Sequence, residues 1–294
     1  RRAPRRPALR MSLLHRHGPG RHAPAHADRT GPVLEVERLG VRYGERQALG
    51  DVTFAVGRGE LLAVVGPNGA GKSSMFKAIC GLVNHDGIVE VNGVHCHHRT
   101  DRMDIAYIPQ RSDHDLAFPI TVIELVLAGR RRFRRWWQPP SADDRAAALD
   151  ALRRVRLADA GDRPLGELSG GQLQRAFLAR ALAQEASVVL LDEALGGVDQ
   201  PTTEELFDLF RTLAADGTTL LVSTHDLALA RRRFDRCLAV NGTLRADGDP
   251  ADVLSVDTLE TIFGSASPVV VEPAGDDRAA REAPRKAGNG AVAD

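Results

Sequence analysis

An α/β fold, with a mostly parallel sheet flanked by helices, is predicted by three observations. Short, fully apolar runs recur along the chain at Leu61 to Val65, Ile105 to Ile108, Val188 to Leu191 and Leu220 to Ser223, and read as strands. Amphipathic stretches such as Ala146 to Val155 and Glu204 to Ala214 carry helical spacing between them. The two patterns alternate, as they do in parallel sheets with crossover helices. Composition agrees: 294 residues, 39 Lys+Arg against 39 Asp+Glu, 43% hydrophobic and 4% aromatic residues describe a globular chain and exclude a fibre or a mini-protein. A membrane channel is excluded too, because no stretch reaches the ~18 uncharged apolar residues needed to cross a bilayer. Even Leu116 to Gly129 is broken by Pro119 and Glu124.

Residues 1–32 hold eight Arg and one Asp with no apolar periodicity, so they are expected to be a disordered basic leader, with Met11 as the translation start. Their net +7 leaves −7 on the rest. No apolar core of a secretory signal is present, and export is not expected. Cys80, Cys96 and Cys237 are too few and scattered for a disulfide framework, which fits a reducing compartment. From Val33 two half-buried strands, LEVERLGVRY and QALGDVTFAV, precede the Gly57-Arg58-Gly59 turn and the Leu61 to Val65 strand. Ile88 to Val91 is a further strand. Between Arg111 and Glu167 strand signals vanish, and TVIELVLAG and RAAALDALRRVRLADA predict a helical insert. CLAV-NG-TLRA predicts a hairpin turning at Asn241-Gly242 in type I′ geometry. The segment 264–294 is polar and is expected to be a second disordered tail.

Three elements carry chemistry. Gly66-Pro67-Asn68-Gly69-Ala70-Gly71-Lys72-Ser73 fits G-x-x-x-x-G-K-[ST], directly after a strand and before a helix that runs from about Lys72 to Cys80. Glycines let backbone N–H groups turn inward around phosphate oxygens, Lys72 reaches the terminal phosphates, and Ser73 is a Mg²⁺ ligand; Ser74 follows at the helix start. The second element is the run Ser187 to Leu191 ending in Asp192 and Glu193. Asp192 suits Mg²⁺ and Glu193 suits a proton acceptor for the water attacking the γ-phosphate. The third is Leu168-Ser169-Gly170-Gly171-Gln172 before a helix, whose hydroxyl and amides are candidate phosphate donors, although a plain Ser169 helix cap explains the same string.

Together these elements resemble the nucleotide-binding subunit of an ABC transporter, over residues 33 to about 263, with LSGGQ as the specific part. The resemblance implies a P-loop NTPase (RecA-like) core of mostly parallel sheet, with an N-terminal antiparallel β subdomain and an α-helical subdomain inserted at about 111–167. It implies ATP and Mg²⁺ as cofactors, and a head-to-tail pair of subunits in which Ser169, Gly170 and Gly171 of one close over ATP held by Lys72 of the other. It also implies that Tyr43 stacks on adenine, that Gln110 senses Mg²⁺ and the attacking water, that Asp199 contacts the second subunit, and that His225 contacts the γ-phosphate. Taken alone, Tyr43 reads as a half-buried strand aromatic and His225 as a helix cap. Ala194 stands where the family usually has Pro, and GGVD around Asp199 is atypical.

The window from IAYIPQR through FPITVIELVLAGR and RRRFRRWWQPPSADDR to ELSGGQLQRAFLARAL looks like the ATPases of zinc and manganese importers. The implied partners are a multi-span membrane permease, a second ATPase subunit (a homodimer) and, indirectly, a substrate-binding lipoprotein, at the cytoplasmic face of the cell membrane. No nucleic-acid partner is expected, since Arg outnumbers Lys 36 to 3 throughout the chain and its abundance is a compositional habit. The Arg130 to Trp137 patch reads as an interhelical loop near the permease, against the alternative of nucleic-acid contact. His95-Cys96-His97-His98 has metal-competent donors but reads as a surface loop, and His15, His17, His22 and His26 are loose metal donors at most. Two alternatives stay open: the ATPase of a siderophore or haem importer, and a soluble non-transport ATPase. Against the latter, Ser169 follows Lys72 by only 97 positions, leaving no room for long coiled coils.

Overall fold

The computed structural model describes residues 31–97, 99–110, 119–133, 135, 137–193, 195–196 and 199–263. The tail expected over 264–294 and nearly all of the leader expected over 1–32 lie outside them, with its four histidines, His98, Ala194 and the segment 111–118.

Why the strands read as unbroken apolar runs follows from their burial. All five residues of β3 (Leu61–Val65) are buried, with Leu61, Ala63 and Val65 in one core and Leu62 and Val64 in another. A sheet covered on both faces has no solvent side to impose alternation. β3 lies inside a six-stranded sheet with β6 (Ile105–Ile108), β7 (Val188–Leu191), β8 (Thr219–Ser223), β9 (Arg236–Val240) and β10 (Leu244–Gly248), in the order β10-β9-β3-β8-β7-β6. Neighbours are parallel except β10, which returns antiparallel to β9. A second sheet, of β1 (Leu34–Tyr43), β2 (Arg46–Val56), β4 (Asp86–Val91) and β5 (Val94–His95), is antiparallel in the order β2-β1-β4-β5. Its apolar side shares a core with Met75, Phe76 and Ile79 of α1 (Lys72–Ile79).

The other core is formed by α2 (Val122–Gly129), α3 (Ala142–Arg154), α4 (Gly170–Ala183) and α5 (Gln200–Ala215) with one face of the parallel strands. Thr121 and Ser141 cap α2 and α3, each in a reciprocal capping box with Glu124 or Asp144. Arg130, 9% exposed, ties this layer together: it donates to Asp144 Oδ1 at 3.1 Å, Ala183 O at 2.9 Å and Glu185 Oε1 at 2.6 Å. Arg132 donates to Asp104 Oδ1 at 2.7 Å and Met103 O at 2.6 Å. Two arginines of the basic patch are therefore internal fasteners, while Trp137 is exposed with Arg135 over its ring at 5.3 Å.

Two local expectations need correction. The hairpin loop has three residues, Asn241 to Thr243, between Val240 and its partner Leu244, and only Gly242 has a positive φ, of 69°. A type I′ turn needs positive φ at both central residues, so the geometry is the three-residue class instead. The histidine run is not a plain loop: His95 lies in β5 and pairs with Glu90 at 2.5 Å, while Cys96 turns inward and is buried. That alternation separates Cys96 from its neighbours, and among the described residues no group of three or more His, Cys, Asp or Glu is placed to hold a metal ion. All three cysteines are buried and none is in a disulfide, and burial, with the charge of Asp247, pushes the Cys237 thiol up to about 12.

Candidate functional site

The phosphate loop leaves β3 and enters α1 through Gly71, whose φ of 99° is in the left-handed region. A Cβ there would meet Ala48 O at 2.6 Å, so both backbone angle and space demand glycine. The hairpin recognised at Asn241-Gly242 supports the loop from below: Gly242 N–H donates to Ala70 O at 2.9 Å, and Gly50 N–H donates to Gly242 O at 2.7 Å. Lys72, 5% exposed, donates its ammonium to Gly66 O at 2.7 Å and Pro67 O at 3.1 Å. Burial lowers its pKa below the ordinary lysine value, and the charges of Glu193 and Asp192 oppose that fall. No side chain caps α1, and Ser73 is exposed in its first turn beside the half-buried Ser74.

Across the sheet, β7 ends in the two carboxylates. Asp192 is 2% exposed and accepts from Tyr107 Oη at 3.1 Å and Ser223 Oγ at 2.7 Å. Glu193 has a φ of 45°, a strained value for a non-glycine residue, and its carboxylate accepts from Gln110 Nε2 at 2.7 Å. Gln110 and Glu193 are thus brought together from the ends of two adjacent strands, and the charges of both carboxylates reach Lys72. His225 is exposed just past β8, and it is not a helix cap: Asp226 performs that task, accepting from Leu229 N–H at 2.8 Å at the start of α6 (Leu227–Arg233). Tyr43 is 48% exposed at the end of β1 and is no core aromatic.

Ser169 caps α4 in a capping box with Gln172, accepting from its N–H at 3.3 Å and receiving its side-chain amide oxygen on the Ser169 N–H at 3.1 Å. Gly171 is buried because α5 lies against it: a Cβ would meet Thr202 Cγ2 at 2.2 Å. Asp199 is the N-cap of α5, its carboxylate held by Thr202 Oγ1 at 2.7 Å, and bonds from the Thr202 side chain and then its backbone lower its pKa. Among the described residues, no hydrogen bond joins the Ser169 tip to the phosphate loop of the same chain. Tyr107 and Ser223 were not legible as site residues, because each sits inside a run that reads only as a strand.

A strand–glycine loop–helix cradle beside paired carboxylates at the ends of parallel strands defines a nucleoside-triphosphatase. Residues 49–196 match the ABC transporter family model, and the chain belongs to that family as an ATP-hydrolysing, nucleotide-binding subunit. It is 40% identical over 233 residues to the manganese transport system ATP-binding protein MntA of Synechocystis, covering 79% of this chain and 90% of that protein. It is 37% identical over 253 residues to the zinc transport system ATP-binding protein TroB of Treponema pallidum, covering 86% and 94%. Among solved structures, the ADP conformation of an ATP-binding cassette of an ABC transporter superposes with a TM-score of 0.71 at 26% identity, covering 80% of this chain and 99% of that one.

Proposed function

We propose that this subunit powers a separate multi-span permease in the uptake of a divalent metal, manganese or zinc, at the cytoplasmic face of the cell membrane, with a substrate-binding lipoprotein delivering the cargo. The cargo reading rests on the near full-length likeness to manganese and zinc transport ATPases. The catalytic reading rests on one observation, the Gln110-held Glu193 carboxylate adjoining buried Asp192.

In this reading Tyr43 stacks on adenine, the amides of Gly66 to Gly71 with Ser73 and Ser74 surround the phosphates, and Lys72 transfers its two carbonyl bonds to the terminal phosphates. The donor set fits Mg²⁺: Ser73 hydroxyl, Gln110 amide oxygen and Asp192 carboxylate are hard oxygen ligands. When bound, the ion neutralises charge developing on the phosphates. Glu193 accepts the proton of the attacking water, Gln110 keeps that carboxylate aimed, and His225 contacts the γ-phosphate. A second copy supplies Ser169, Gly170 and Gly171, steadied by Gln172, while Asp199 contacts it across the pair. ATP joins the two subunits, closure is passed through the helical insert to the permease, and hydrolysis reopens the pair.

Glu193→Gln is expected to bind ATP and accumulate as an ATP-dependent dimer in sedimentation, with turnover reduced at least ~10²-fold through loss of a general base. Wild-type turnover in that variant rejects the assignment. Membrane vesicles with the permease and ATP inside tell cargo apart: accumulation of manganese or zinc supports the reading, and accumulation of a siderophore or haem instead rejects it.

A further inference from the structure

Ser223 is the last residue of β8, fully buried, and polar in a strand whose other sheet contacts are met by Leu220, Leu221 and Val222. Nothing in strand pairing asks for a hydroxyl there. The parallel register of β7 with β8 sets Leu191 beside Val222, which brings Asp192 alongside Ser223. Its hydroxyl then makes two bonds of opposite sense: Oγ donates to Asp192 Oδ1 at 2.7 Å and accepts from Glu193 N–H at 2.8 Å. The other Asp192 oxygen is held by Tyr107 Oη at 3.1 Å, from β6 on the far side. Glu193 is also the residue with φ of 45°, a conformation that persists only where surrounding bonds over-determine it.

We infer that Ser223 is a positioning residue that sets both carboxylates at once, fixing the rotamer of Asp192 and the left-handed turn that aims Glu193 at Gln110. One hydroxyl proton and one lone pair thereby couple the metal-facing and water-facing carboxylates, which no rotation of either side chain alone achieves. Tyr107 shares only the first task. The inference rests on the roles proposed above for Asp192 and Glu193.

The test compares Ser223→Ala, Ser223→Thr, Tyr107→Phe and Glu193→Gln, each checked for cooperative thermal unfolding. Ser223→Ala is expected to lower kcat by roughly 10- to 30-fold with KM for ATP within about 2-fold, the pattern of an interaction made in the transition state. Ser223→Thr, which keeps the hydroxyl, restores kcat to within about 3-fold, and Tyr107→Phe costs less than Ser223→Ala. In the Glu193→Gln background Ser223→Ala lowers kcat no further, because groups acting as a unit are non-additive. That double variant also binds Mn²⁺ about 5-fold more weakly than Glu193→Gln in the presence of ATP, read by electron paramagnetic resonance without turnover. If Ser223→Ala does not fold, Ser223→Cys carries the same comparisons. An inactive Glu193→Gln beside a fully active Ser223→Ala overturns the positioning role alone. Normal turnover in Glu193→Gln removes the reading beneath it.

Discussion

α1 begins after a glycine-rich loop and α4 begins with two glycines of its own, and they treat their first-turn amides in opposite ways. At α1 the N-cap is Gly71 in left-handed geometry, no side chain caps the helix, and the chain around it is held by the hairpin at Gly242 and by the Lys72 bonds. At α4 the cap is Ser169, closed on itself through Gln172. The first entrance is an incomplete solvation shell with a cation beside it, built to receive an anion. The second is a finished helix start, capped without a ligand, with Ser169 exposed and Gly171 packed beneath α5. A cradle and a completing tip are complementary roles, which is why two copies rather than one make a closed site in the proposed cycle.

Three experiments break or sharpen this contrast. The largest effect belongs to Gly71→Ala, which forces a Cβ against Ala48 O at an angle alanine disfavours; ATP affinity is expected to fall at least ~100-fold in equilibrium binding with a fluorescent analogue, from strain in the cradle itself. Retained affinity would show that the cradle is not rigid.

Next is the pH dependence of that affinity. Burial lowers the Lys72 pKa, so the free protein loses this cation as pH rises through the folded value, below the ordinary 10.5. ATP affinity should decline at alkaline pH earlier than for an exposed lysine, by about 10-fold per unit of downward shift. Lys72→Arg, charged throughout, should be weaker at neutral pH and flat with pH. Identical profiles would deny Lys72 its role. By the same linkage the burial of the Lys72 ammonium costs stability below its folded pKa, and that cost disappears above the unfolded one.

The smallest effect is at the other entrance. Ser169→Ala removes the α4 cap at a cost of about 1 kcal/mol, seen as a melting shift of roughly 2–4 °C. ATP binding by the monomer stays intact while ATP-dependent dimerisation weakens. Ser169→Thr keeps the cap and should melt like the wild type.

What the sequence disclosed about this fold and site follows the reach of each interaction. The phosphate loop, its strand and its helix are legible because the residues that form them are contiguous, although the supports at Ala48 and Gly242 come from far along the chain. The carboxylate pair was legible because a fully apolar strand ending in Asp192-Glu193 is a local pattern. Tyr107 and Ser223 were not, since their partners lie 85 and 31 positions away and become neighbours only through sheet register. Arg130 and Arg132 read as surface charge because composition carries no sign of a carboxylate 14 or 28 residues distant. At Asp199 and Ser169 the sequence offered a helix cap and a ligand contact for the same residue, and the structure supplies the first in full while leaving the outward faces for the second.

The inward packing of Cys80, Cys96 and Cys237 has a practical side. With burial holding the Cys96 and Cys237 thiols protonated, maleimide chemistry at neutral pH has little native background to contend with. A single engineered thiol on the exposed face of α3 or β1 then carries a spin label or dye, and distances between two such probes can follow the opening and closing of the pair during turnover.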